Sequence, residues 1–125
     1  MFKIIEGLPD DVLGIEASGT ITHEDYIENI IPHFESMFDT YGDIKILYVL
    51  GDDFNGYELA ALWDDATYGI RHWSNISHIA IVTDNQWPHA LMTMFAPLFP
   101  GELKMYSKAG LEKAKEWISA ESTAK

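Results

Sequence analysis

The chain has 125 residues, 47% of them hydrophobic, enough to bury one core but not two. Eight Lys and Arg stand against twenty Asp and Glu, and the net charge of -12 repels phosphate backbones and anionic lipid headgroups, so nucleic-acid binding is not expected. Cysteine is absent, which excludes disulfides, thiolate metal sites and cysteine nucleophiles.

The opening MFKIIEGLPDD has one lysine, a short apolar core and acids straight after it, unlike a signal peptide. No stretch approaches the ~20 apolar residues of a membrane span, and a cytoplasmic protein is expected. Phe2–Ile5 and Val12–Ala17 are short β-type runs. Gly7, Pro9 and Asp10-Asp11 between them give a turn signal, so the two form a predicted hairpin. Thr22-His-Glu-Asp25 resembles a capping box with Thr22 as N-cap. Behind it Ile27, Ile30, Ile31, Phe34, Met37, Phe38 and Tyr41 recur at spacings of three and four, the stripe of one amphipathic helix. Pro32 falls between stripe positions and belongs on the solvent side, and Gly42 stops the helix.

Ile44–Leu50, IKILYVL, is nearly continuous in apolar residues, the pattern of a strand covered on both faces. Next comes GDDFNGYE, expected as a loop, and then a helix with Leu59, Leu62, Trp63, Ala66, Ile70 and Trp73 on one face. Ile76–Thr83 is a second buried strand, ended by Asp84-Asn85. In Trp87 to Pro100 a core stripe of Trp87, Leu91, Met94, Phe95 and Leu98 leaves Met92 and Phe99 over. A segment apolar beyond one face packs in its own core, contacts a second copy, or lines a pocket for an apolar ligand, and the residues leave all three open. Leu103–Tyr106 is a last strand. Leu111–Ile118 is a terminal helix with Leu111, Ala114, Trp117 and Ile118 facing in. The chain is expected to be one domain over residues 1–120, with a frayed tail at 121–125. The order β-β-α-β-α-β-α-β-α implies an α/β fold with a mostly parallel sheet and an edge strand from the hairpin.

In such folds ligands sit beyond the carboxyl ends of the strands. Three expected loops meet there, Ser18–Thr22, Gly51–Tyr57 and Asp84–Trp87, bringing Asp52, Asp53, Asn55, Glu58, His23 and Asp84 towards one edge. Carboxylates on converging loops suit a hard cation, but Asp53 or Asn55, and Asp84 or Asn85, also serve as caps for the following helices. The capping role needs no ion, and no metal or cofactor is assigned. The five histidines form no i, i+4 pair, and His78 stands where it can pair with an acid. No G-x-S-x-G or phosphate-binding glycine loop occurs, and no catalytic constellation emerges.

The element order and the loop resemble the STAS family of anti-sigma-factor antagonists, in which a central strand runs into an Asp-x-Ser-Gly turn and a helix. Here Asp53-Phe54-Asn55-Gly56 falls at that place. The whole chain is similar to the uncharacterised SpoIIAA-like branch. That likeness rests on Phe54-x-Gly56-Tyr57, Ala61-x-Trp63-Asp64-Asp65, His72, Ile79-Ala-Ile-Val82 with Asp84 and Trp87, Pro97 through Glu102, and Ala114-x-x-Trp117. The resemblance implies a bacterial regulatory or binding domain without a reaction of its own, meeting a protein partner or itself as a homodimer. The contact surface expected is the Asp52–Glu58 loop, with Asp53, Phe54, Asn55, Gly56 and Tyr57, and the helix after it. A likeness in fold to lipid carriers implies the alternative, a small apolar ligand, and the residues offered for it are the aromatic and Met-rich Trp87–Phe99 segment, with Met92, Phe95 and Phe99, together with Tyr57, Trp63 and Trp73. The family's switch phosphorylates the serine before the glycine. Asn55 occupies that position, and Gly51–Glu58 holds no Ser or Thr, so the serine switch does not carry over.

Overall fold

The computed structural model describes residues 2–57, 75–84 and 101–120, with the side chains of residues 26 and 52–57 left aside. Strands β1 (Phe2–Ile5), β2 (Val12–Ile21), β3 (Ile44–Tyr57), β4 (Ile76–Val82) and β5 (Glu102–Tyr106) form one sheet in that order. β1 is antiparallel to β2 and every later pairing is parallel, as expected of a hairpin edge on a parallel sheet. The helices expected at Leu59–Trp73 and Trp87–Phe99, and the frayed tail, lie outside the described residues.

The hairpin closes through Gly7, whose φ of +87° only glycine adopts without strain. Gly14 lies opposite Ile5. A Cβ on Gly14 would come within 2.6 Å of Leu8 Cδ1 and 2.8 Å of Ile5 Cβ, so the bare backbone here lets Leu8 fold back onto the sheet.

After β2 the chain makes one helical turn, α1 (His23–Asp25), a wider π turn over Tyr26–Ile30, and helix α2 (Ile31–Tyr41). The sequence predicts one continuous helix here. Pro32 sits in the first turn of α2 and has no N–H for the carbonyl a turn earlier, and the backbone widens just before it. The wider turn shifts the phase of the stripe. Ile30 is buried and Ile31, Phe34, Met37 and Phe38 are half-buried, whereas Ile27 and Tyr41 are exposed, against expectation. Pro32 is on the solvent side. Gly42, at φ +76°, ends the helix by donating its N–H to Phe38 O.

Period-two alternation sorts the sheet into two faces. Leu13, Ile15 and Ala17 of β2 with Ile44, Ile46 and Leu50 of β3 pack under Ile30, Phe34, Met37 and Phe38. Val12, Leu47, Val49, Ala80 and Val82 pack on the other side against helix α3 (Leu111–Ala120). All four residues expected to face inward on α3 do so: Ala114 and Ile118 are fully buried, Leu111 and Trp117 partly.

Two expected loops at the carboxyl end are strand instead. β2 continues through Ser18 to Ile21, and β3 through GDDFNG to Tyr57. Asn55-Gly56 is therefore not a turn. Cross-strand pairing with β2 at Gly19↔Phe54, Thr20↔Gly56 and Ile21↔Tyr57 overrides the local turn preference, with register shifts on either side of Gly19, whose φ is +61°. Asp53 and Asn55 lie inside a strand, so the capping role predicted for them does not hold.

Candidate functional site

The carboxyl end of the sheet is built by β2 and β3 running on beyond their neighbours. Pairing of β3 with β4 ends at Val49↔Val82, while pairing with β2 continues to Tyr57. Asp53, Phe54, Asn55, Gly56 and Tyr57 are thus consecutive residues of one strand arm beside Gly19–Ile21. Trp63, Met92, Phe95 and Phe99 lie outside the described residues.

At the tip of β2 the expected capping box is closed. Asp25 N–H donates to Thr22 Oγ1 at 3.1 Å, and Thr22 N–H donates to Asp25 Oδ2 at 2.9 Å. Partial burial pushes the Asp25 carboxyl up, but the lowering contributions together, the bonds with Thr22 and the positive charge of the amino terminus, outweigh it and hold the group below the usual carboxylate range. His23 begins this turn and is exposed. Asp84 follows β4 as expected and caps the turn before α3, while the helix expected after it lies outside the described residues. Its Oδ1 accepts the Lys108 N–H at 2.9 Å, at the start of the 3-10 turn Lys108–Gly110 that leads into α3. Ser107, the local N-cap, makes no side-chain bond there, and Asp84 supplies the acceptor from the neighbouring strand end. Among the described residues no group of three or more His, Asp or Glu converges to hold a metal ion.

The amino-terminal end of the sheet carries polar groups that the sequence signals only weakly. Lys45 and Asp11 form a buried pair, Nζ to Oδ2 at 3.1 Å, with side chains 5% and 3% exposed. The Lys45 N–H also donates to Asp11 O at 3.0 Å. Lys45 is in register with His78, and His78 with Glu102. His78 finds the predicted acid in Glu102, Nε2 to Oε2 at 3.4 Å. Its Nδ1 lies 2.9 Å from Ser77 Oγ, and its ring meets Trp117 edge to face at 5.6 Å. Lys104 Nζ stands 4.8 Å from the centre of the same indole. Ser77 is the extra residue where the β3–β4 register shifts after Ile44↔Ile76. Its hydroxyl reaches Ile44 O at 3.5 Å, which gives it a structural role in filling the bulge. At the other end of β5, burial pushes the Tyr106 hydroxyl above its ordinary value.

A hairpin-edged parallel sheet with a helix on each face, and with polar residues spent on capping, register and bulge filling, defines a small α/β module of the STAS type. The sequence model described as SpoIIAA-like matches residues 12–119, and the chain belongs to that family. Among solved structures it is similar to an uncharacterised protein of the DUF3478 family with a SpoIIAA-like fold from Shewanella loihica PV-4. The two are 28% identical, the match covers 94% of this chain and 92% of that one, and the TM-score is 0.71. No curated protein matches the chain. Among the described residues no helix is long and apolar enough to cross a membrane.

Proposed function

We propose that the chain is a non-catalytic cytoplasmic binding module that meets a protein partner, or a second copy of itself, through the β3 arm Asp52–Tyr57, and that it does so without a serine switch. The observation supporting this reading is the continuation of β3 to Tyr57, paired with β2, through the position where the STAS resemblance expects a phosphorylatable turn. Among the described residues the arm pairs with β2 alone, and a strand held on one side gives a fixed backbone for recognition. Asn55 has no hydroxyl to accept a phosphoryl group, and Asp52, Asp53 and Glu58 bring permanent charge to the same segment.

A benzophenone amino acid placed at Asn55, with Thr40 on the exposed side of α2 as control, tests this in cells. A discrete adduct at position 55 and none at 40 is the expected result, and its mass separates a second copy from a different protein. No adduct at 55, or the same adducts at both positions, retires the proposal. The alternative, a carrier or sensor of a small apolar ligand lined by Trp63, Met92, Phe95 and Phe99, is separated by a native mass spectrum, where such a ligand adds mass to the protein.

A further inference from the structure

An open cleft lies between the hairpin and α3, at the opposite face from α2. It has a volume of about 520 Å³ open to water. β1 contributes Lys3 and Ile5 to one wall, with Glu6 just beyond the strand, β2 and β3 contribute Glu16 and Val49 to the floor, and α3 contributes Leu111 and Lys115 to the facing wall. Lys3 is the register partner of Glu16, and Glu16 of Val49, so the three form one row across neighbouring strands at roughly 5 Å steps. Leu111 and Lys115, four residues apart, present one side of α3.

Two properties set this cleft apart. Its charges balance, two lysines against two glutamates, on a chain that carries eight basic and twenty acidic residues. The charges are also open: among the described residues Lys3, Glu6 and Glu16 enter no ion pair, and Lys115 has only a 3.8 Å contact with the exposed Glu112. Opposite charges directly across two strands gain by closing on each other. Here Lys3 and Glu16 form no ion pair with each other, which leaves a cation and an anion available beside Val49, Ile5 and Leu111.

A ligand complementary to this arrangement carries both charges on one end and a short apolar group on the other. We infer that the cleft binds the zwitterion of a small aliphatic amino acid. Its carboxylate lies between Lys3 and Lys115, its ammonium meets Glu6 and Glu16, and its side chain rests on Val49, Ile5 and Leu111. A second copy of the chain is a poorer occupant, because two concave surfaces related by a two-fold axis do not fill each other.

The test is a nitrogen–proton NMR titration of the full chain with L-leucine, and with 4-methylpentanoate and 3-methylbutylamine, which lack one charge each. Saturating shifts at the amides of Lys3, Glu16, Val49 and Leu111 with leucine are expected. Either analogue should bind about tenfold more weakly, the loss of one charge-assisted contact. Lys115→Gln and Glu16→Gln, at surface side chains, should each weaken leucine roughly threefold to tenfold with the spectrum otherwise unchanged. Absence of saturating shifts, equal response to the analogues, or shifts that track protein concentration without ligand (self-association) would each overturn the inference.

Discussion

Replacing Lys45 with Met removes one half of an ion pair from which water is almost excluded. The ammonium and the Asp11 carboxylate stand 3.1 Å apart, with side-chain exposures of 5% and 3%. At an effective dielectric of about 20 their attraction is about 5 kcal/mol, set against the several kcal/mol per ion spent on leaving water. The pair is therefore close to neutral as a whole, and the damage comes from breaking it. Lys45→Met takes the lysine charge away from the buried Asp11 carboxylate and should cost about 3–5 kcal/mol, a large part of the roughly 5–15 kcal/mol that holds a domain together. Urea unfolding followed by circular dichroism reads this as a lower midpoint at unchanged slope. The double variant Asp11→Leu, Lys45→Met should recover most of the loss, because apolar groups of similar volume need no counter-charge. A single-variant cost below about 1 kcal/mol, or a double variant costing the sum of both singles, would refute the reasoning.

Gly14→Ala should destabilise by about 1–3 kcal/mol in thermal melts, since its Cβ would overlap Leu8 and Ile5 at 2.6 and 2.8 Å. Thr22→Ala should cost about 1 kcal/mol through loss of the capping box. Because the Asp25 carboxyl is held below its unfolded value, its contribution is fully present above about pH 4 and is lost as pH falls through the lower folded value. Acid unfolding of wild type and Asp25→Asn should therefore converge at low pH and separate above it. Asp84→Ala removes the carboxylate that accepts the Lys108 N–H and should speed exchange of that amide about tenfold, with amides at the centre of the sheet unchanged.

The hairpin, the Thr22 cap, the buried strands and the inward face of α3 are legible in the sequence because each rests on local chemistry and a regular period. Lys45 shows where that ends. The run IKILYVL identifies a covered strand, and its one lysine demands a carboxylate, but nothing local says which. Asp11 is the residue that answers, and its place in Asp10-Asp11 reads equally well as part of a turn. Asn55-Gly56 fails for the opposite reason: the local signal is strong, but pairing with Thr20 and Ile21 outweighs it. In the helix before Gly42 the period predicts the inward residues from Ile30 to Phe38, of which Ile30 is fully buried, and misplaces Ile27 and Tyr41, because the period assumes regular turns and Pro32 prevents one. Of the candidate contact residues, Asp53 to Tyr57 are contiguous and stay together in any fold. A grouping with Trp63, Met92, Phe95 and Phe99 depends on tertiary placement that no spacing encodes.

The Asp11–Lys45 pair spans 34 residues, and this separation has a consequence for how the chain is made. As the chain leaves the ribosome, the β1–β2 hairpin closes from residues near in sequence, an event of microseconds. β3 follows only after the whole crossover has been synthesised, which at about 5–20 residues per second takes seconds. For that interval the apolar edge of β2 has no β3 to pair with, and the Asp11 carboxylate lacks Lys45. Nascent chains halted before Ile44 should be the species most prone to pair with one another, and the arrival of Lys45 ends that exposure.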